Sequence, residues 1–582
     1  MTWSSWLADF YGCHCEERSD EAIQLDRHAR RSRARDDNAM KRVLILITLV
    51  AVVGLPFIFR PKQVIREAAE ETLVIITPHN EALRHEYGRG FREWYRARTG
   101  RTVAIDWRVI GGTSEITRFL ESEYVSSFQN FWTKHLGREW SMEVQAAFQN
   151  GRLVPDQTPE DDTTEMAARR AFLASSIGCG IDIFFGGGSF DFIRQANAGR
   201  LVDSGIMQLH PEWFKEEVIP QSFTGEPYWD PKGRWVGDVL SSYGMIYNRD
   251  SLERLGIAEE PRQWDDLANP KLQGEIALCD PTKSSSIAKA FENVIQQHIY
   301  RQWARLEKET GRGRKSLETQ AVEAGWASGL QLLQRAGANA RYFTDTSQKP
   351  SIDVIQGNSA VGMCIDFYGR GAFQGTALRY DGSPGRVGYY SPADGTVLSP
   401  DPIAVMRGAP NPKASLAFLE YALSMDGQKL WNFKTGVPGG TDRYELRRLP
   451  IRRDFYTQDF ARYRSDPEVN PYAGTNPLIY NGAWTGGDVF RAMAFVIRVM
   501  CLDTHPELVA AWNEIIRAGM PADALAVMGD MSFVAYPQIR ERIAPALSAK
   551  NKVEEIRLAN ELAGQFRSQY QKAAELARAS AR

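Results

Sequence analysis

Ile183-Phe184-Phe185-Gly186-Gly187-Gly188-Ser189 reads as a buried strand, a bend of three glycines and the first residue of a helix. The same order recurs at Val109-Ile110-Gly111-Gly112-Thr113-Ser114-Glu115 and at Ile276-Ala277-Leu278-Cys279-Asp280-Pro281-Thr282-Lys283-Ser284-Ser285-Ser286. Each bend aims free backbone N–H groups, and the positive end of a helix dipole, at one edge of a sheet. In an open α/β sheet that edge is where ligands sit. Several such bends in one chain predict a binding cleft, suited to an anion.

The flanking sequence supports a parallel sheet covered by helices. Thr72-Leu73-Val74-Ile75-Ile76-Thr77 is a strand closed by Pro78. A helix follows with Leu83, Tyr87, Phe91 and Trp94-Tyr95 on its apolar face, and Thr99-Gly100 stops it before the strand Val103 to Val109. This β-α-β start is the unit of α/β folds. Residues 122–172 read as an extra, mostly helical stretch. The run Val239 to Asn248 reads as one strand, and further strands are expected at Ala360 to Tyr368 and Ile403 to Met406. In the last helix Ile556, Ala559, Ala563, Phe566 and Tyr570 form the expected packing stripe.

The 582 residues predict two or three domains. Lys and Arg (70) nearly balance Asp and Glu (72), and no basic stripe carries interleaved aromatics, so no nucleic acid partner is expected. Cys179, Cys279, Cys364 and Cys501 are far apart, and their spacing does not decide between thiols and disulfides. Residues 1–39 differ from the rest. Cys13-His14-Cys15-Glu16-Glu17-Arg18 resembles a translated bacterial intergenic repeat, and Met40 reads as the initiator. Adjacent Cys-His-Cys residues cannot all reach one tetrahedral ion. Within 40–60, Val43 to Phe59 is apolar and uncharged, near the lower end of the roughly 17–25 residues that span a bilayer. Arg and Lys are richer on its upstream side, which places the remainder outside the cytoplasm. No small-residue cleavage site follows, so an uncleaved anchor in the inner membrane is expected, with residues 61–71 as a tether.

Further pieces fall in a characteristic order: Ile181-Asp182-Ile183, Gly244-Met245-Ile246-Tyr247-Asn248, Trp264-Asp265-Asp266-Leu267, Asp280-Pro281-Thr282-Lys283-Ser284, Gln356-Gly357, Gly408-Ala409-Pro410-Asn411-Pro412 and Gly427-Gln428. From about residue 72 to 435 the chain resembles the extracytoplasmic solute-binding proteins of ABC importers, in the family of iron(III), polyamine and sugar-phosphate binders. The resemblance implies a two-lobed α/β fold of the type 2 periplasmic binding protein kind, with a hinge. Lobe one is expected at 72–245 and 400–450. Lobe two is expected at 246–399 and 451–582, including the C-terminal helices. The hinge crossings are expected near Met245 to Asn248 and near Ile403 to Gly408. Function would be capture by hinge closure and delivery to a permease, with no bond made or broken.

On that resemblance the cleft takes Thr77, His79, Asn80, Thr113, Ser114, Gly187, Gly188 and Ser189 from lobe one. It takes Thr282, Ser284, Ser285, Asp366 and Tyr368 from lobe two, with Tyr243 near the hinge. Hydroxyls and helix N-termini suit an oxyanion, so a sugar phosphate or phosphonate is the expected solute. Any one Ser or Thr among them equally reads as a helix cap. Iron binders of this family commonly use two adjacent tyrosines, where this chain has Phe367-Tyr368. His79, Asp366 and Tyr368 would be the iron(III) set in the alternative reading, with iron as transported ligand and no resident cofactor. Asp191 and Asp366 leave a cationic polyamine open. A membrane-tethered sensor is a further alternative. No G-x-S-x-G elbow or H-E-x-x-H helix is present, and an enzyme is not expected.

Overall fold

The computed structural model describes residues 69–155, 163–375, 385–473, 477–549 and 551–581. The expected upstream extension, the apolar run Val43 to Phe59 and most of the tether lie outside the described residues. Among those described, no helix is long and apolar enough to cross a membrane.

Thirteen described strands build two larger sheets and a hairpin: β1 Glu71–Ile76, β2 Val103–Arg108, β3 Ile183–Phe185, β4 Ser222–Phe223, β5 Glu226–Pro227, β6 Val236–Ser241, β7 Tyr243–Asn248, β8 Ile276–Cys279, β9 Ala340–Thr344, β10 Val361–Ile365, β11 Val387–Tyr390, β12 Ser399–Val405 and β13 Leu449–Pro450. The first sheet has the order β13-β6-β12-β3-β1-β2 and the second β11-β7-β10-β8-β9, with β4 and β5 paired separately. β1 is parallel to β2 and β3, β8 is parallel to β9 and β10, and β12 and β7 run antiparallel to their neighbours. Two doubly covered sheets joined by crossing segments are the two-lobed α/β architecture expected.

Both faces of each sheet are buried, and strand alternation sorts the residues. Ile75 and Phe185 join one core of lobe one while the adjacent Ile76 and Phe184 join the other. Met245 and Tyr247 face the large core of lobe two, and Ile246 faces the small one. The helices that position the cleft are α1 Glu81–Thr99, α2 Thr113–Asn130, α3 Ser189–Ala198, α4 Ser285–Thr310, α5 Glu318–Asn339 and α6 Asp366–Gly375. α1 shows how one forms. Asn80 accepts from the Leu83 N–H, Leu83, Tyr87, Phe91 and Tyr95 bury one face at every fourth residue, and Gly100 ends it at φ 73°. Burying Phe91 completely is worth about 1.5–3 kcal/mol.

Three expectations are corrected. Val239 to Asn248 is not one strand: β6 pairs in the first sheet, β7 pairs in the second, and Ser242 makes the crossing. The expected crossing at Met245 to Asn248 therefore lies inside lobe two. Ile403 to Val405 pair with β3, so the return crossing is the segment 391–398 rather than Ile403 to Gly408. The segment after 450 does not go directly to lobe two. Ile451 is buried in a lobe-one core, Phe455 stacks on Phe433, and Tyr472 packs on Phe223, so residues up to 473 stay with lobe one. Beyond them Leu478 donates to the Thr396 carbonyl and Trp484 enters the lobe-two core, which makes a third passage between lobes.

The helices α7 Asp488–Cys501, α8 His505–Arg517 and α9 Lys552–Ser580 then pack on α4 and α5. The α9 stripe is Leu558, Leu562, Phe566 and Tyr570, while Ile556 is exposed. The expected stripe holds at Ala563, Phe566 and Tyr570, but its start was set two positions early because Ile556 and Leu558 are equally apolar. Cys179, Cys279, Cys364 and Cys501 are free thiols.

Candidate functional site

The glycine bend after β3 gathers the ends of the first three strands. Gly186 (φ 86°) and Gly187 (φ 124°) sit where L side chains are strained. A Cβ on Gly186 would overlap the His79 ring, and one on Gly187 would overlap Thr113. The bend is bare so that the segments after β1 and β2 can lie against it. Gly112 and Gly188 cap α2 and α3 without a side-chain acceptor. Across from them, Asp280 accepts from both the N–H and hydroxyl of Thr282 at 2.7 Å, and this turn starts α4.

The two lobes meet through these bends. A Cβ on Gly112 would lie 2.5 Å from the Lys283 carbonyl oxygen, and the Lys283 ammonium is 3.6 Å from Glu115. A Cβ on Gly188 would be 3.5 Å from the Ser285 hydroxyl. Gly112→Ala is therefore expected to prop the lobes open without disturbing either core. X-ray scattering should give a larger radius of gyration than wild type at an unchanged melting temperature. An unchanged scattering curve would mean that the Lys283 loop yields instead.

Two buried charge clusters lie on this interface. At the hinge, Arg448 is 1% exposed. Its guanidinium donates to Asp401, to the Ser241 hydroxyl at 2.7 Å and to His79 Nε2 at 3.3 Å, and it lies 4.4 Å over the Phe367 ring. Burial, the largest influence, pushes the Asp401 carboxyl up, but Arg448 and His79 more than offset it and the group ends below its usual range. Burial pushes His79 down, and the opposing pull of Asp401 does not restore it. Because Nε2 accepts from Arg448, the ring proton sits on Nδ1, which has no acceptor among the described residues. One α4 turn beyond Ser285, the Lys289 ammonium contacts Glu226 at 2.5 Å and Glu292 at 2.8 Å, and lies 3.6 Å from the centre of the Tyr480 ring. Burial opposes its charge, but the two carboxylates hold it well above its usual range. Glu226 belongs to β5 in lobe one, so this cluster ties the lobes together.

The expected residues divide by what they do. Gly188 meets Ser285 across the lobes and Tyr243 starts the crossing, whereas His79 packs on Gly186 and Thr113 on Gly187 within lobe one, where Ser189 also donates to Glu226 at 3.4 Å. Asn80 caps α1, and Ser284 caps α4 through the Ile287 N–H. The Thr77 hydroxyl accepts from the His79 N–H, and Thr282 serves the Asp280 turn. Ser114 is half-buried, and its carbonyl accepts from the Arg118 side chain. The Tyr243 N–H donates to Thr396 at the crossing, and burial pushes its phenol up.

The iron set is not assembled. Asp366 accepts from Arg370 at 2.7 Å, and His79 is engaged by Arg448, so a trivalent cation there would meet fixed positive charge. The Tyr368 phenol is pushed up to about 12 by burial. Among the described residues no three His, Cys, Asp or Glu side chains form a group that could hold a metal.

Arg448, Asp401, Lys289 and Glu226 were not found from the sequence. Their one visible signal is a charge inside an apolar setting, as in Arg448-Leu449-Pro450-Ile451 and Pro400-Asp401-Pro402.

Residues 181–466 match the family model described as bacterial extracellular solute-binding protein. An uncharacterized protein of Haemophilus influenzae is 26% identical over 254 residues, 43% of this chain and 60% of its own length. The phosphoglycerate transport regulatory protein PgtC of Salmonella typhimurium is 22% identical over 195 residues, 34% of this chain and 40% of its own. The chain thus spans well under two thirds of both relatives. Among solved structures, the periplasmic binding protein AfuA from Actinobacillus pleuropneumoniae, with fructose-6-phosphate bound, aligns at 16% identity and a TM-score of 0.39, covering 62% of this chain and 82% of that one. Iron-bound HitA from Pseudomonas aeruginosa aligns at 14% identity and a TM-score of 0.39, covering 74% and 99%.

Proposed function

We propose that the chain is the solute-binding component of an ABC importer and that it closes its lobes on a small anion carrying a phosphate or phosphonate. The observation that carries this is Arg448, buried where both lobes and the hinge strands converge. A guanidinium matches the planar, forked geometry of an oxyanion. A solute phosphate would share Arg448 with Asp401, take the unpaired His79 Nδ1–H, and meet the first turn of α3, which no side chain caps. The interlobe surface is polar while each lobe's core is apolar, so separation at Ser242 and 391–398 exposes groups that water satisfies. A solute that contacts both lobes binds the closed form better and shifts the population toward it. PgtC, named for phosphoglycerate transport, is consistent with a phosphorylated anion.

Thermal-shift measurements on the chain test this directly. Phosphoglycerate, sugar phosphates and phosphonates form one arm, and iron(III) citrate and spermidine form the other. A binder present at 100 times its dissociation constant adds about 2.7 kcal/mol of stability. A saturable rise with a phosphorylated anion is expected. A rise confined to spermidine or iron(III) would overturn the proposal. The word "regulatory" in the name of PgtC favours, as a second reading, a sensor built on the same lobes. Deleting the gene separates the two: loss of labelled-solute uptake marks the importer, and loss of a transcriptional response with uptake intact marks the sensor.

A further inference from the structure

A cavity of about 430 Å³ opens beside the hinge, at the lower end of the ~300–1,000 Å³ range of small-molecule pockets. None of the strand-end bends lines it. Ser242 and Thr396, from the two hinge crossings, form part of its wall, and Leu398 and Val469 make it largely apolar.

Its polar end is one arginine–aspartate group. Asp466, 2% exposed, accepts from Arg447 through Oδ1, while its Oδ2 has no hydrogen-bond partner among the described residues. Arg370 donates from NH1 to Asp366 at 2.7 Å and from NH2 to the Arg447 carbonyl at 2.9 Å, which leaves Nε unpaired. Nε and Oδ2 are 3.7 Å apart, too far for a hydrogen bond. A buried donor and a buried acceptor therefore face each other as an ion pair, with neither atom hydrogen-bonded. Two arginines face two aspartates in this buried group, and the remaining charge on the wall, Glu468, is exposed to solvent, so the buried end selects no ion.

We infer that this cavity is a second binding site, for an uncharged molecule with an apolar ring and one hydroxyl or amide that accepts from Arg370 Nε and donates to Asp466 Oδ2. It is independent of the interlobe anion site. Its occupant rests on both hinge crossings.

The test uses 4-fluorobenzyl alcohol as probe, followed by fluorine NMR with the full chain, and 4-fluorotoluene as the analogue lacking the hydroxyl. Saturable binding with a dissociation constant on the order of 1 mM or tighter is expected for the alcohol. The toluene should bind at least tenfold more weakly. Val469→Phe, which fills the cavity, should abolish binding at an unchanged melting temperature. Ala393→Leu, at an exposed position on the rim, provides a second block should the first variant fold poorly. Absence of saturable binding, equal binding of the two probes, or binding that survives both blocks would overturn the inference, whatever the phosphate arm shows.

Discussion

Arg448→Met is expected to destabilise the chain by about 3–5 kcal/mol and to abolish binding of the anionic solute. Methionine keeps much of the aliphatic stem, so the loss is that of the guanidinium, with its ion pair and its place over the Phe367 and Trp431 rings. What remains is Asp401, largely buried and without its main counter-charge. In wild type that carboxyl sits below its usual range because Arg448 and His79 outweigh the burial that pushes it up. A depressed folded-state pKa contributes stability above the unfolded value of about 3.9 and loses it as pH falls through the folded one. The gap between wild type and variant should therefore be full at pH 7 and close below about pH 4. The double variant Arg448→Met with Asp401→Asn should recover much of the deficit, because neither charge is then left alone. Urea titrations at pH 7 and pH 4 provide the measurement. A deficit under about 1 kcal/mol at pH 7 would mean that water already reaches the pair and that the guanidinium is not held dry for a ligand.

The strands and bends were legible because each apolar run is bracketed by Gly, Pro or hydroxyl residues. Ile183-Phe184-Phe185 before three glycines admits few other readings, and the structure supplies the reason: Gly186 and Gly187 must stay bare beneath His79 and Thr113. The hinge was less legible. From Val236 to Asn248 every residue is buried, in lobe one and lobe two alike, so no change of pattern marks the step from one sheet to the next. Asp238 and Ser241-Ser242 interrupt the run, and the serines read equally well as a buried pair within one strand. Among site residues, the hydroxyls after β1, β2, β3 and β8 could be chosen by position, but spacing does not say which of them cap helices. Asn80 and Ser284 cap, whereas Ser285 faces Gly188 of the other lobe and Ser189 meets Glu226 of its own. The charges at the interface lie beyond local pattern altogether. Arg448 meets His79 from 369 residues away and Ser241 from 207, pairings that only the closed fold creates.

Lys289→Met is expected to have an effect as large as that of Arg448→Met, about 3–5 kcal/mol, with the same direction of pH dependence but from a different carboxyl. The ammonium is the counter-charge for Glu226 of lobe one and Glu292 of its own helix, and Tyr480 covers it. Burial already pushes Glu292 up against the pull of Lys289, and the variant removes that pull. A carboxyl whose folded-state pKa is raised contributes stability below its unfolded value of about 4.3 and loses it as pH rises through the folded one. The deficit of the variant should thus be small near pH 4 and grow toward pH 7, opposite in origin to that of Arg448→Met, where the stranded carboxyl had been depressed. Because one partner belongs to each lobe, part of the cost can be relieved by separation: the open form returns Glu226 and Glu292 to water. Scattering at pH 7 should therefore show a larger radius of gyration than wild type, and the same variant at pH 4 should close again. A variant as compact as wild type at pH 7 would show that Tyr480, whose backbone N–H also reaches the Thr224 carbonyl at 2.7 Å, holds the lobes together without the ion pair, so that the third passage of the chain rather than charge sets the closed state.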